Sequence, residues 1–281
     1  MCAREVPLDA SLCILLALFG LLFGSFANVV IWRFPRGESL SHPGSHCPVC
    51  ETPIVWYDNI PVLSWIALGR RCRFCAVPIS ARYPMVELLS AGLWVLAGAF
   101  FGVSTQTAVA VFFFYLLLIL SFIDIDLRRL PNALVGLLFV VGLVGVAVSQ
   151  LTDVSALPLT PIGHSMWGQP AVAAAIGAVT ASGVTLAIAL IYQRVAHVEQ
   201  AQGAGDVKLL AAIGLYLGPY ALLALFLANV LGSIYGIVGA WFRGVSLREA
   251  SIPFGPFLAV ASVAVALVGP AIWGWYLALL T

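Results

Sequence analysis

The sequence predicts an all-α, polytopic membrane helix bundle of about eight transmembrane helices, with a small loop domain on the cytoplasmic side. Three observations predict it. Of the 281 residues, 62% are hydrophobic and 9% are charged, where soluble domains carry about 25% charged residues. A soluble fold of this composition would lack the polar surface to cover its core. The apolar residues also fall in runs long enough to cross a hydrocarbon layer of about 30 Å, and the basic residues gather in alternate loops. Length alone suggests roughly two soluble domains, a prior that the apolar content overrides. The formal net charge of +1 gives no sign of a nucleic-acid partner.

Candidate spans run near 11–32, 84–102, 106–123, 132–150, 170–193, 207–217, 220–242 and 253–279. The first follows Arg4 and extends from Ser11 to Trp32. It is longer than the apolar part of a signal peptide, and no small-x-small cleavage site precedes Arg33 and Arg36, so it reads as a retained span. The sixth is short. One helix over 207–242 would reach ~54 Å, and Gly218-Pro219 supplies a natural break. Small residues, as in Ala171 to Gly183, let helices approach closely. No internal repeat is read.

Charge tests this layout through the positive-inside rule. With the N-terminus outside, the inner side holds Arg33, Arg36, Arg70, Arg71, Arg73, Arg82, Arg128, Arg129, Arg194, Lys208, Arg243 and Arg248, and Arg4 alone lies outside. That accounts for all 13 basic residues and places the C-terminus outside too. The expected organisation is a first span over 1–32, an inside loop domain over 33–83 rich in Pro, Cys and Arg, and a membrane domain over 84–281. An outside loop, 151–169, carries Pro158 and Pro161, has Pro170 nearby, and has no basic residue.

Acids in or near a bilayer are costly and usually functional. Those near span ends are Glu87, Asp124, Asp126 and Asp206. Asp124 closes the third span and Asp206 opens the sixth, both at the inner boundary, so they can meet across helices. Two close carboxyls share a proton. The ionised one can act as base on water while the protonated one polarises a carbonyl. Gly203 and Gly205, in Gly203-Ala204-Gly205-Asp206-Val207-Lys208, allow positive φ and close backbone approach beside a catalytic acid. The bland alternatives are an interfacial cluster of Asp126 with Arg128 and Arg129, and Asp206 as a helix cap.

Cys47, Cys50, Cys72 and Cys75 form two C-x2-C pairs in the inside loop. Disulfides do not persist in a reducing compartment, and four thiolates in this pattern suit a closed, structural tetrahedral zinc. His46 would be a fifth ligand and reads as a bystander. Cys13 reads as packing, and His42, His164 and His197 as solvated or hydrogen-bonded residues. Cys2 has no assigned role.

These motifs resemble the bacterial prepilin peptidases, or type IV leader peptidases, over nearly the whole chain. The resemblance is carried by Phe23-Gly24-Ser25-Phe26-Ala27-Asn28-Val29-Val30-Ile31, by Cys47-Pro48-Val49-Cys50, and by Trp56-Tyr57-Asp58-Asn59-Ile60-Pro61-Val62-Leu63-Ser64-Trp65. Ile79 to Pro84, Val86-Glu87-Leu88, Gly-x-Gly-Asp at Asp206 with Lys208-Leu209, and Ile252 to Phe257 complete it. The family's first aspartate stands seven residues before a proline, which selects Asp124 ahead of Pro131 over Asp126.

The resemblance implies a GxGD-type aspartic endopeptidase of the bacterial inner membrane. Such enzymes remove the basic leader of prepilins and pseudopilins after a Gly at the cytoplasmic face. It implies Asp124 and Asp206 as catalytic residues, with Gly203, Gly205 and Lys208 in the active-site loop. Many members then N-methylate the new N-terminus from S-adenosylmethionine, an activity associated with the 33–83 region. One departure stands there: Gly69-Arg70-Arg71-Cys72 places its glycine one position earlier than the family's usual Arg-Gly-Arg-Cys or Lys-Gly-Arg-Cys. No glycine-rich nucleotide fingerprint locates a methyl-donor site. Two rival classes are a proton-coupled transporter using the same Asp pair as a relay and a zinc-ribbon docking module on a membrane anchor. The absence of an inverted repeat and the boundary position of the acids argue against transport.

Overall fold

A computed structural model of the chain describes residues 10–152, 154–159, 169–196, 204–244 and 253–279. Cys2, Arg4, His164, His197, Gly203, Arg248 and Ile252 lie outside the described residues, as do Asp153 and 160–168 of the outside loop. The described residues form nine α-helices and no strand beyond isolated bridges. The helices are α1 (Ala10–Arg33), α2 (Leu63–Ala67), α3 (Arg82–Phe101), α4 (Thr105–Leu127), α5 (Asn132–Leu151), α6 (Pro170–Ala196), α7 (Ala204–Leu217), α8 (Ala221–Arg243) and α9 (Gly255–Ala278).

Seven stretches among the described residues are long and apolar enough to cross a membrane. They match the expected spans one for one, except that α7 and α8 fall in a single 39-residue apolar stretch, Ala204–Phe242. The helix itself breaks within that stretch, at a 3-10 turn over Gly218–Tyr220. Pro219 cannot continue an α-helix. With 14 residues, α7 is only about 21 Å long, too short to meet the length of a full span. That is why the expected eight become seven.

The chain divides into two compact units, Met1–Thr107 and Ala108–Thr281. In the first, α1 and α3 pack closely. A Cβ on Gly20 would come within 2.5 Å of Ala91 Cα, and one on Gly24 within 2.6 Å of Glu87 Cα. Phe23 stacks on Trp94 at 5.0 Å. Asn28 Nδ2 donates to the Tyr83 carbonyl at 3.2 Å, tying the end of α1 to the start of α3. Glu87 is buried on α3, where an unpartnered acid would be costly. Its carboxylate accepts the Val62 N–H at 2.8 Å and a bond from the Ser25 side chain. Val62 (φ 62°) is the centre of a γ-turn closed by Leu63 N–H to the Pro61 carbonyl at 2.6 Å.

In the second unit, α4 is buried without a break from Leu116 to Asp124, as expected of an interior helix. Phe113 stacks on Tyr216 of α7 at 4.3 Å, and the Tyr216 hydroxyl donates to the Leu138 carbonyl of α5 at 2.9 Å. The described part of the outside loop folds back on this core. Leu157 and Leu159 are buried, Ser149 Oγ accepts the Ala156 and Leu157 N–H groups, and Leu159 N–H donates to the Tyr216 carbonyl at 2.8 Å.

The α6–α7 contact is backbone on backbone. A Cβ on Gly214 would overlap the Ala178 backbone, and one on Gly177 the Gly218 carbonyl. Backbone cannot step aside as a flexible side chain can. Gly214→Val is therefore expected to destabilise by about 3 kcal/mol or more, read as a lowered thermal midpoint in detergent. An unchanged midpoint would contradict this packing.

Candidate active site

Asp124 sits at the end of α4, which stops because the next residues cannot extend it. Arg128 takes a left-handed conformation (φ 51°), its N–H donates to the Asp124 carbonyl at 2.9 Å, and Pro131 follows before α5. The Asp124 side chain is 7% exposed. A carboxylate this buried needs a donor, and it has one: Oδ2 accepts the Gly255 N–H at 2.8 Å. Gly255 begins α9, where the first N–H groups lack partners within the helix.

Asp206 is half-buried in the first turn of α7, a position where a carboxylate meets free N–H groups and the positive end of the helix dipole. It lies near enough to Asp124 for that charge to act on it. Asp124 lies near the end of α4 and Asp206 in the first turn of α7. Gly205 stands against the segment after α4, where a Cβ would lie 3.1 Å from Leu130 Cβ. Lys208 is exposed, and its Nζ donates to Asn132 Oδ1 at 3.0 Å, joining the starts of α7 and α5. Asp126 is exposed. Two neighbouring carboxyls in a water-poor corner can share a proton, activate water and hydrogen-bond a carbonyl oxygen.

The four cysteines form a second centre, in the first unit. Cys47 and Cys75 sulfurs are 3.8 Å apart, Cys50 and Cys72 sulfurs 3.9 Å, and all four lie within 4.8 Å of one another. None is disulfide-bonded, and the four are positioned to hold a metal ion. The hydroxyl and N–H of Thr52 draw the Cys50 thiol down to about 6. The Cys75 N–H draws Cys72 down. At Cys75 the Val77 N–H acts downward, but burial and the other three thiols together push it up to about 12. Thiolates this crowded repel one another, and a shared cation relieves that repulsion.

The two C-x2-C turns are copies of one another, which corrects the reading that the chain has no internal repeat. Cys47 N–H bonds the Thr52 carbonyl and Cys72 N–H the Val77 carbonyl; Ile54 N–H bonds Ser45 and Ile79 N–H bonds Arg70. Glu51 and Ala76 both have φ 57°, and the bridges His46–Pro53 and Arg71–Pro78 correspond. The signal was present in sequence as C-x2-C-x2-Pro-Ile, at Cys47 to Ile54 and again at Cys72 to Ile79.

The tryptophan-rich segment between the turns braces them. Arg73 forks onto Asp58, Nε to Oδ2 at 2.7 Å and Nη2 to Oδ1 at 2.6 Å, which holds the Asp58 carboxyl below the usual carboxylate range. Trp65 Nε1 donates to the Ile79 carbonyl at 3.0 Å, and Ser64 Oγ to the Tyr57 carbonyl at 2.9 Å. Arg70 lies over the Trp65 ring at 4.9 Å. His46 bonds the Gly44 carbonyl through Nδ1 at 3.0 Å and is not among the four clustered ligands.

Gly255 is the site residue that sequence reasoning missed. The run Ile252 to Phe257 carried the resemblance, but nothing in it tells which acid its backbone reaches.

Comparison with known proteins places the chain in a family. A model of the bacterial peptidase A24 N-terminal domain matches residues 18–101, and a model of the type IV leader peptidase family matches residues 111–237. A prepilin leader peptidase/N-methyltransferase of Aeromonas salmonicida (strain A449) is 35% identical, over 94% of this chain and 93% of that protein. One of Legionella pneumophila is 32% identical over 94% of each. One of Myxococcus xanthus (strain DK1622) is 37% identical over 80% of this chain and 62% of that protein. No solved structure matches the chain. The chain belongs to the type IV leader peptidase family.

Proposed function

We propose that this chain is a membrane aspartic endopeptidase that removes the leader of prepilins and pseudopilins, with Asp124 and Asp206 as its catalytic pair. The observation that carries the reading is the approach of these two acids from α4 and α7 in a buried corner. The ionised carboxylate takes a proton from water as the water oxygen adds to the scissile carbonyl. The protonated carboxyl hydrogen-bonds the carbonyl oxygen as charge develops there. Collapse of the tetrahedral intermediate breaks the C–N bond after a Gly, and the departing amine takes the proton. Gly205 lets the start of α7 approach Leu130 beside Asp206, Gly203 gives the substrate backbone room there, and Lys208 fixes the start of α7 through Asn132.

In this reading the 33–83 segment is a cytoplasmic domain held by structural zinc on Cys47, Cys50, Cys72 and Cys75. The donor set fits. Zinc–sulfur bonds of about 2.3 Å at tetrahedral angles put sulfurs about 3.8 Å apart, against 3.8 and 3.9 Å for two pairs here and at most 4.8 Å for the others. Four protein ligands leave no open position for water, so the metal serves folding. The chain lies in the bacterial inner membrane with its N-terminus outside and the four-cysteine loop on the cytoplasmic side, the placement that the arginines after the first span favour, and contacts lipid along its spans.

The names of the relatives support a second activity, N-methylation of the new N-terminus, with the methyl supplied by S-adenosylmethionine. The 480 Å³ pocket along α3, lined by residues such as Val62, Trp65, Met85 and Leu88, has no charged side chain. It does not fit the donor's amino acid moiety and is not assigned to it. The transporter alternative finds no support in these relatives. The test is incubation of the detergent-purified protein with a prepilin, read by mass spectrometry. The expected product lacks the leader; a substrate left intact under conditions that keep the protein folded would overturn the reading.

A further inference from the structure

We propose that Gly255 is the positioning residue for Asp124, and that its N–H makes Asp124 the base of the pair. The inference rests on the peptidase reading above and deepens it.

The bond is specific. Asp124 Oδ2 accepts the Gly255 N–H at 2.8 Å from a backbone 131 residues away. No other donor to this carboxyl is recorded among the described residues. Pro256, the next residue, has no N–H to offer. The approach requires glycine, because a Cβ at 255 would lie 2.8 Å from Oδ2, 3.1 Å from Asp124 Cβ and 3.2 Å from Cγ. Any side chain there displaces the carboxyl.

The electrostatics follow from the same contact. Gly255 opens a 24-residue helix, whose N-terminus carries partial positive charge. A backbone donor on Oδ2 favours the ionised form of that carboxyl. Arg128, the residue that follows α4, adds a positive charge nearby. Asp206 also sits at a helix N-terminus, in the first turn of α7, but among the described residues no hydrogen bond is donated to its side chain, so the Gly255 bond is what separates the two acids. When the pair shares one proton, that proton belongs on Asp206, and Asp124 takes the proton from water. Of the other nearby charges, Asp126 is exposed and Lys208 is held by Asn132; α9 contributes none.

The test compares Gly255→Ala with Phe257→Ala and Asp124→Asn. Phe257 packs on Tyr235 at 5.3 Å and against Gly232, so its loss loosens α9 on α8 without touching the acid. The expected result is a roughly 100-fold fall in kcat for Gly255→Ala, with KM within about twofold of wild type. The acid limb of its cleavage profile should also move to higher pH, by roughly one unit, and Phe257→Ala should retain most activity. Wild-type kcat in Gly255→Ala, or an equal loss in Phe257→Ala, would overturn the positioning role. An unmoved acid limb would overturn the assignment of the base. Full cleavage by Asp124→Asn would instead remove Asp124 from the catalytic pair, and no cleavage by folded wild type would sink the peptidase reading itself.

Discussion

Asp124→Asn and Asp206→Asn are each expected to lower prepilin cleavage by roughly 10⁴-fold, with substrate binding and fold retained. Asn keeps the volume and the hydrogen-bonding reach of Asp but neither ionises nor carries a transferable proton. At 124 the amide oxygen can still accept the Gly255 N–H, so the packing of α9 on α4 survives. At 206 the amide can still sit in the first turn of α7. The defect should therefore appear in kcat, with KM near that of wild type. Purified variants with unchanged thermal midpoints, assayed against one prepilin, decide the matter. Full cleavage by either variant would remove that acid from the mechanism, and Asp126 and Glu87 would be the next acids to substitute.

Removing the metal should unfold the four-cysteine domain and leave the second unit standing. Structural zinc contributes about 10–16 kcal/mol of apparent binding energy in small domains. The segment it closes offers little else: Val49, Trp56, Ile60, Leu63 and Phe74 are all exposed, and among the described residues Cys47 and Pro61 are its buried apolar residues. Cys72→Ser, which replaces a thiolate by a poor ligand, is expected to abolish stoichiometric zinc in elemental analysis and to open 45–80 to limited proteolysis. A chelator should do the same to wild type. Zinc-free protein with a protease-resistant loop would show that the cysteines hold the domain without metal.

The apolar runs and the placement of arginines made the helical architecture legible, because both follow from the cost of burying charge in hydrocarbon. The break at Gly218–Pro219 was readable for the same local reason: proline cannot extend α7. Asp124 and Asp206 stood out as candidates because one closes an apolar run and the other opens one. Gly255 was not, since a contact over 131 residues depends on how α9 is seated and leaves no periodicity in the chain. The duplicated turn was open to reading but hidden by attention to cysteine spacing alone; the Pro-Ile that closes each copy carries the equivalence. Gly203, the first glycine of the loop, falls outside the described residues, so its part rests on the sequence.

The γ-turn at Val62 gives the molecule a built-in reporter. Its amide points into a buried carboxylate of α3 and so has no route to water unless the loop lifts from the helix. Hydrogen exchange at that one amide therefore counts how often the loop undocks from α3. Slow exchange that quickens when a leader peptide is added would time the loop's movement against substrate arrival.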